Sequence, residues 1–153
     1  HSATKYLAGH NDVLAGVVVT NSLELYEKLF CGLKTLSLRM ERSTANAQEV
    51  VAFLKDSPAV KEVLYTGRGG MISFKVADET RIPHILNSLK VFSFAESLGG
   101  VESLITYPTT QTHADIPAEV RHSYGLTDDL LRLSIGIEDA RDLIADLRQA
   151  LEG

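Results

Sequence analysis

Residues 130–137, with the sequence LLRLSIGI, carry the clearest strand pattern in this chain of 153 residues. Successive side chains of a strand point to opposite faces of the sheet, so alternate residues share a face. One face is wholly aliphatic and consists of Leu131, Leu133, Ile135 and Ile137. The other face is smaller and more polar and consists of Leu130, Arg132, Ser134 and Gly136. The stretch therefore predicts a core strand that holds Arg132 on its polar side.

Outward from this strand, the same kinds of pattern predict a mixture of strands and helices. Residues 71–76 also alternate, and one face consists of Ile72, Phe74 and Val76. The other predicted strands are residues 13–20, 60–65, 91–94 and 103–107. Helices are predicted at residues 22–30, 31–55, 78–89 and 117–124. Asp139 can cap a closing helix with the apolar stripe Leu143, Leu147, Ala150 and Leu151. This mixture indicates an α/β or α+β fold.

The composition is that of an ordinary globular domain. Apolar residues make up 44% of the chain and charged residues 23%, and the formal net charge is -5 with acids and bases interspersed. No basic stripe indicates nucleic-acid binding, and no apolar run is long enough for a membrane span. The single cysteine, Cys31, excludes an internal disulfide framework. We therefore expect a cytoplasmic protein that binds neither nucleic acid nor membranes.

A lysine between two hydroxyl residues lies near the beginning of the chain. The segment SATKY, from Ser2 to Tyr6, is followed by GHND. An amine such as that of Lys5 can attack a carbonyl group, and the hydroxyls of Ser2 and Thr4 can donate hydrogen bonds to a phosphate. On residue chemistry alone, a solvated lysine beside a turn is the commoner explanation. His10 and Asp12 form no metal-ligand pattern, so no metal site is predicted.

The pattern Ser-Ala-Thr-Lys-Tyr-x-x-Gly-His-x-Asp resembles the cofactor-lysine signature of the trans-sulfuration enzymes, which use pyridoxal 5'-phosphate (PLP). This family includes the cystathionine γ-synthases, β-lyases and γ-lyases. Five further matches follow in order along the chain: GLKTL with LRME at residues 32–41, GGMISF at 69–74, AESLGGVES at 95–103, Thr112-His113, and LRLSIGIE at 131–138. The resemblance implies that Lys5 forms the Schiff base with PLP, and that Ser2 and Thr4 help to hold its phosphate.

The resemblance also implies a fold and a division of the chain. Residues 1–30 would be the end of the large PLP-binding domain of fold type I, the fold of aspartate aminotransferase. Residues 31–55 would form an inter-domain helix. Residues 56–153 would form the smaller C-terminal domain, with a mostly antiparallel sheet covered by helices. Relatives also assemble as dimers of dimers, so the resemblance implies a homotetramer.

Three further residues are implied to contact the substrate. By resemblance, Arg132 binds the carboxylate of an amino-acid substrate, which it can do through two parallel hydrogen bonds. Without the resemblance, a structural ion pair is the favoured explanation of this arginine. Ser97 matches a residue whose backbone positions the substrate or the cofactor lysine. Glu96 matches a carboxylate at the pocket edge that can receive the distal amino group of a substrate; the alternative is a solvated loop residue.

These implications predict a PLP-dependent enzyme of methionine and cysteine metabolism that acts on small amino acids. Glu96 favours cystathionine γ-synthase, with cystathionine β-lyase and γ-lyase as alternatives. An alternative from another class is a non-catalytic α/β binding or assembly domain, in which Arg132 would pair with Glu96 or with another carboxylate. Relatives are longer, both before Lys5 and between Phe30 and Cys31. We therefore expect this chain by itself to perform no PLP chemistry.

Overall fold

The computed structural model describes Phe30 and residues 32–153. The strand predicted at residues 13–20, the helix predicted to end at Phe30 and the junction at Cys31 therefore lie outside the described part, apart from Phe30 itself. None of the helices in the described ranges is both long enough and apolar enough to cross a membrane.

The described residues form five strands, one 3-10 turn and four α-helices that lie wholly within the described part, and residues 32–34 are also helical. The helices are α1 Leu36–Asp56, α2 Ile82–Ser88, α3 Ala118–Ser123 and α4 Ala140–Glu152, and the 3-10 turn Glu79–Arg81 precedes α2. The strands are β1 Val60–Leu64, β2 Met71–Val76, β3 Ser93–Phe94, β4 Leu104–Thr106 and β5 Leu130–Ser134. All five strands predicted within the described part are present, with ends that differ by a few residues.

The five strands form one sheet in the order β1-β2-β5-β4-β3. The strand that contains Arg132, β5, is central and runs antiparallel to both β2 and β4. β1 also pairs antiparallel with β2, whereas the short β3 is parallel to β4. The prediction of a mostly antiparallel sheet covered by helices is confirmed.

One face of this sheet forms the hydrophobic core. Leu131 lies opposite Phe74 and Leu133 opposite Ile72, and all four side chains are fully buried. Helices α1, α2 and α4 cover this face with apolar side chains, which include Val50, Leu54, Ile82, Ile85, Leu143 and Leu147. The apolar stripe predicted for the closing helix is confirmed, and Asp139 caps that helix by accepting a hydrogen bond from the backbone N–H of Arg141. The core therefore combines residues from both ends of the described part.

Two predicted strands extend by two or more residues past one end of the observed strand. β5 ends at Ser134, and Ile137 is 40% exposed, so the prediction that Ile137 belongs to the core face is wrong. The reason is that Ile137 donates its backbone hydrogen bond to the loop carbonyl of Val101. β3 begins at Ser93 instead of residue 91, because the carboxylate of Asp146 accepts the backbone N–H groups of residues 90–92.

The first half of α1 does not pack through an apolar stripe. The residues buried there are polar: Arg39, Ser43 and Asn46. Asn46 is fully buried and donates hydrogen bonds from Nδ2 to the carbonyls of Gly136 and Glu138, at 3.2 and 2.8 Å. This half of the helix is therefore joined by hydrogen bonds to the chain that follows β5, and only its second half packs through apolar contacts.

Candidate functional site

Arg132 occupies the middle of the central strand on the face opposite the core. Its neighbours across the sheet are Ser73 on β2 and Thr106 on β4. Directly opposed residues of antiparallel strands share a face, so these three side chains lie side by side. Leu130 and Ser134, on the same face, are 7% and 2% exposed. Arg132 therefore lies half-buried on a polar face that is itself largely covered.

The Arg132 guanidinium makes one polar contact among the described residues. Its Nη2 donates to Thr106 Oγ1 at 3.3 Å, and no carboxylate of the described part forms an ion pair with it. Burial lowers the pKa of Arg132, because the charged form loses solvation. A guanidinium nevertheless stays protonated at neutral pH, so a cation with unused N–H donors is held in this position. Such a group can bind an external carboxylate or phosphate.

The segment of residues 95–103 begins beside this guanidinium. The backbone N–H of Ala95 donates to Ile105 O at 3.0 Å, and Thr106 Oγ1 donates to Ala95 O at 2.9 Å. Farther along, the N–H of Gly99 donates to Ser134 Oγ at 2.8 Å. Gly99 has φ +77°, a conformation that glycine adopts without steric cost. The segment is therefore attached to β4 and β5 on both sides of residues 96–98.

The end of the segment is held by the carboxylate of Glu138. Oε1 of Glu138 accepts the N–H of Ser103 at 2.6 Å, and Oε2 accepts the Ser103 hydroxyl at 2.9 Å. The same hydroxyl oxygen accepts the N–H of Gly136 at 2.9 Å. Ser103 is fully buried, and both its hydroxyl and its N–H have partners within the protein. These bonds fix residues 101–103 against the chain that follows β5.

Two of the residues predicted for the site lie in the segment that Thr106 links to Arg132. Ser97 is half-buried and Glu96 exposed in the segment that begins beside Arg132. An ion pair between Arg132 and Glu96, one of the pairings expected of a non-catalytic domain, is not formed. Ser2, Thr4 and Lys5 lie outside the described residues, so their places in the site remain predictions.

Four residues of the site were not identified from the sequence: Thr106, Ser103, Ser134 and Glu138. Three of them belong to stretches that carried the family resemblance, residues 95–103 and 131–138. The sequence contains no signal that pairs them, because each bond joins residues that are far apart along the chain. Thr106 lies outside the matched stretches and is identified only by its position opposite Arg132.

The family model described as "Cys/Met metabolism PLP-dependent enzyme" matches residues 1–31 and 28–152. The chain belongs to this family. It is 51% identical over 170 residues to a Bacillus subtilis protein named cystathionine γ-synthase/O-acetylhomoserine (thiol)-lyase, and 44% identical over 187 residues to a cystathionine β-lyase of Lactococcus lactis. A solved structure of a cystathionine γ-lyase from Micromonospora echinospora superposes with a TM-score of 0.88 at 34% identity. The names of these relatives therefore cover three different reactions.

The chain spans about half the length of these relatives. The alignments cover 99% of this chain, but 46% of the B. subtilis protein and 49% of each of the other two. Each sequence alignment is also longer than the 153 residues of this chain, so the relatives contain residues that this chain lacks. The two parts of the family match meet at residues 28–31, which include the junction of Phe30 and Cys31.

Proposed function

We propose that the protein carrying this chain is a PLP-dependent trans-sulfuration enzyme in which Arg132 binds the carboxylate of an amino-acid substrate. The observation that carries this proposal is the half-buried guanidinium, which has no acidic partner among the described residues. Leaving such a cation desolvated is costly, and a bound carboxylate offsets that cost. Membership of a PLP-dependent family makes an amino acid the appropriate ligand.

Lys5, Ser2 and Thr4 would hold the cofactor. Their chemistry fits the group, because a primary amine can bond covalently to its aldehyde and two hydroxyls can donate to its phosphate. When bound, PLP supplies an electron sink for the charge that develops on the substrate's α-carbon. Lys5 would remove the α-proton and return protons to the substrate carbons. These roles rest on the sequence match, since the three residues lie outside the described part.

Arg132 would orient the substrate. A guanidinium binds a carboxylate through two parallel hydrogen bonds, which fixes the direction of the bonds to the α-carbon. That orientation decides which bond the cofactor activates, and holding it in advance lowers the barrier to reaction. The position of Arg132 in the middle of a central strand suits this role, because a strand in a sheet is more rigid than a loop.

Among the reactions of the family, we propose the formation of cystathionine from an O-acylated homoserine and cysteine. The support is Glu96, which is exposed at the beginning of the segment beside Arg132, and the γ-synthase name of the 51% identical B. subtilis relative. An exposed carboxylate at this place can receive the distal amino group of a long amino acid. Cleavage of cystathionine, as in β-lyases and γ-lyases, is the alternative within the family.

Product analysis distinguishes these reactions. The full-length protein with PLP is incubated with O-acetylhomoserine and cysteine, and separately with cystathionine. A γ-synthase forms cystathionine in the first reaction, whereas a β-lyase releases pyruvate and a γ-lyase releases 2-oxobutyrate in the second. Failure to consume any of these amino acids would contradict the proposed function.

A substitution at Arg132 tests the binding role directly. Lysine keeps the charge but not the paired donors of arginine. We expect Arg132→Lys to raise KM for the amino-acid substrate roughly 30-fold, which corresponds to the loss of one charge-assisted hydrogen bond of about 2 kcal/mol. The matched control is Arg68→Lys in the exposed turn between β1 and β2. Equal KM values for the two variants would refute the assignment.

A further inference from the structure

Thr106 is the one described residue whose side chain contacts Arg132 through a hydrogen bond. It lies directly opposite Arg132 on β4 and is 1% exposed, so water has little access to its hydroxyl. The Oγ1 atom has two partners, namely Arg132 Nη2 at 3.3 Å and the carbonyl of Ala95 at 2.9 Å. The Thr106 side chain therefore lies between the cation and the beginning of the segment of residues 95–103.

The direction of these two bonds follows from the chemistry of the groups. A carbonyl oxygen can only accept and a guanidinium can only donate. The single hydroxyl proton of Thr106 therefore points to Ala95 O, and an Oγ1 lone pair faces Arg132. The two bonds together fix the Thr106 rotamer and leave Arg132 with a defined neutral acceptor on the β4 side. A neutral acceptor holds the guanidinium without neutralising the charge that would attract a carboxylate.

We propose that Thr106 is a positioning residue: its hydroxyl fixes the guanidinium of Arg132 for the substrate carboxylate and ties that guanidinium to the backbone just before Glu96. This inference rests on the proposed function of Arg132 and extends it to a residue outside the sequence stretches at residues 95–103 and 131–138. Thr106 does not contact the carboxylate itself, so it acts only through Arg132. Removal of the hydroxyl should therefore weaken the binding of carboxylate-bearing ligands and leave other ligands unaffected.

The test is equilibrium binding to the PLP-loaded full-length protein. The probes are L-homoserine, which lacks a good leaving group, and 3-amino-1-propanol, which is homoserine without its carboxylate. Thr106→Val keeps the branched shape and removes the hydroxyl, whereas Thr106→Ser keeps the hydroxyl. We expect Thr106→Val to weaken homoserine binding on the order of tenfold, as for one lost hydrogen bond, with no change for 3-amino-1-propanol. Thr106→Ser should restore most of the affinity.

Two controls separate positioning from a purely structural role. Thr66→Val makes the same chemical change in the exposed turn between β1 and β2, and it should leave homoserine binding unchanged. In an Arg132→Ala background, Thr106→Val should have no further effect, because the residue through which it acts is absent. An equal loss of affinity for both probes, or an undiminished effect in the Arg132→Ala background, would overturn the inference.

The inference and the proposed function fail in different ways. If homoserine binding depends on Thr106 as described but no amino acid is turned over, the inference stands and the proposed reaction is wrong. If turnover is observed and Thr106→Val behaves like Thr66→Val, the reaction stands and the positioning role is wrong. If the unsubstituted protein binds homoserine no better than 3-amino-1-propanol, Arg132 holds no carboxylate and the inference falls with it.

Discussion

Replacing Gly136 by alanine adds only one methyl group, but it should destabilise the domain strongly. A Cβ atom at this position would lie 2.1 Å from the carbonyl oxygen of Val101 and 2.7 Å from the carbonyl carbon of Glu102. Both are backbone atoms, so no rotamer change can relieve the overlap. The Cβ would also lie 2.5 Å from Oε2 of Glu138, an atom already fixed by its bond to Ser103.

The size of the stability loss in Gly136→Ala follows from the backbone groups that must move. Val101 O accepts the backbone N–H of Ile137 at 2.9 Å, and Gly136 donates its own N–H to Ser103 Oγ. Moving Val101 O away from the new Cβ stretches the first bond, and moving Gly136 stretches the second. Overpacking costs about 1–3 kcal/mol and each lost hydrogen bond about 1 kcal/mol, so we expect a loss of about 3 kcal/mol in the free energy of unfolding.

Urea unfolding of the 153-residue chain, followed by circular dichroism, measures this loss. With an m value of about 2 kcal/mol per molar urea, the midpoint should fall by about 1.5 M. The matched control is Gly125→Ala, because Gly125 has φ +87° and no heavy atom near the added Cβ. Its cost is backbone strain of about 1 kcal/mol. A Gly136→Ala variant as stable as Gly125→Ala would refute the steric reasoning.

Two further predictions concern buried carboxylates. Burial opposes the ionisation of Asp129, but hydrogen bonds from Lys61 and Thr127 outweigh this effect and lower its pKa. The stability that the Asp129 carboxylate contributes is therefore complete above the ordinary aspartate pKa of about 3.9. It is lost as the pH falls through the lowered pKa. Urea midpoints measured across this acid range should therefore fall less steeply in Asp129→Asn than in the unsubstituted chain. Asp146→Ala should lower the free energy of unfolding by about 3 kcal/mol, since it removes the acceptor of three backbone N–H groups of residues 90–92, and an unchanged midpoint would contradict this.

The sequence predicted the central part of the fold well for a physical reason. In β2 and β5 the core face is wholly apolar and the other face carries polar residues, so the alternation identifies both strand and core face. The errors concern the ends of strands. They fall where a polar group from elsewhere in the chain, instead of a neighbouring strand, binds the backbone N–H groups. Asp146 shortens β3 by binding the backbone before it, and the Val101 carbonyl binds the N–H of Ile137, so the alternation ends after Ile135. Such partners are distant in sequence and leave no local pattern.

In the candidate site, too, the sequence predicted what depends on local pattern but not what depends on residues distant along the chain. Arg132 could be identified because an arginine on a strand with one aliphatic face is unusual, and because the surrounding residues resemble a known family. Whether it was paired with a carboxylate depended on the residues across the sheet, and the sequence alone favoured an ion pair. The register of β4 against β5 decides the question by placing a threonine opposite it. The roles of Ser97 and Glu96 stay predictions, because the structure gives their exposure but not a ligand.

The bonds around residues 95–103 also explain how a segment without regular secondary structure can bury two adjacent glycines. Gly99 and Gly100 are both buried, and buried backbone groups need partners. These partners come from β4, from β5 and from the residues just after β5: Thr106, Ser134, Ile137 and Glu138. The sequence stretches at residues 95–103 and 131–138 are therefore complementary, since the second binds three backbone groups of the first: the N–H groups of Gly99 and Ser103 and the carbonyl of Val101. A change in either stretch should alter the shape of the segment beside Arg132 as well as stability.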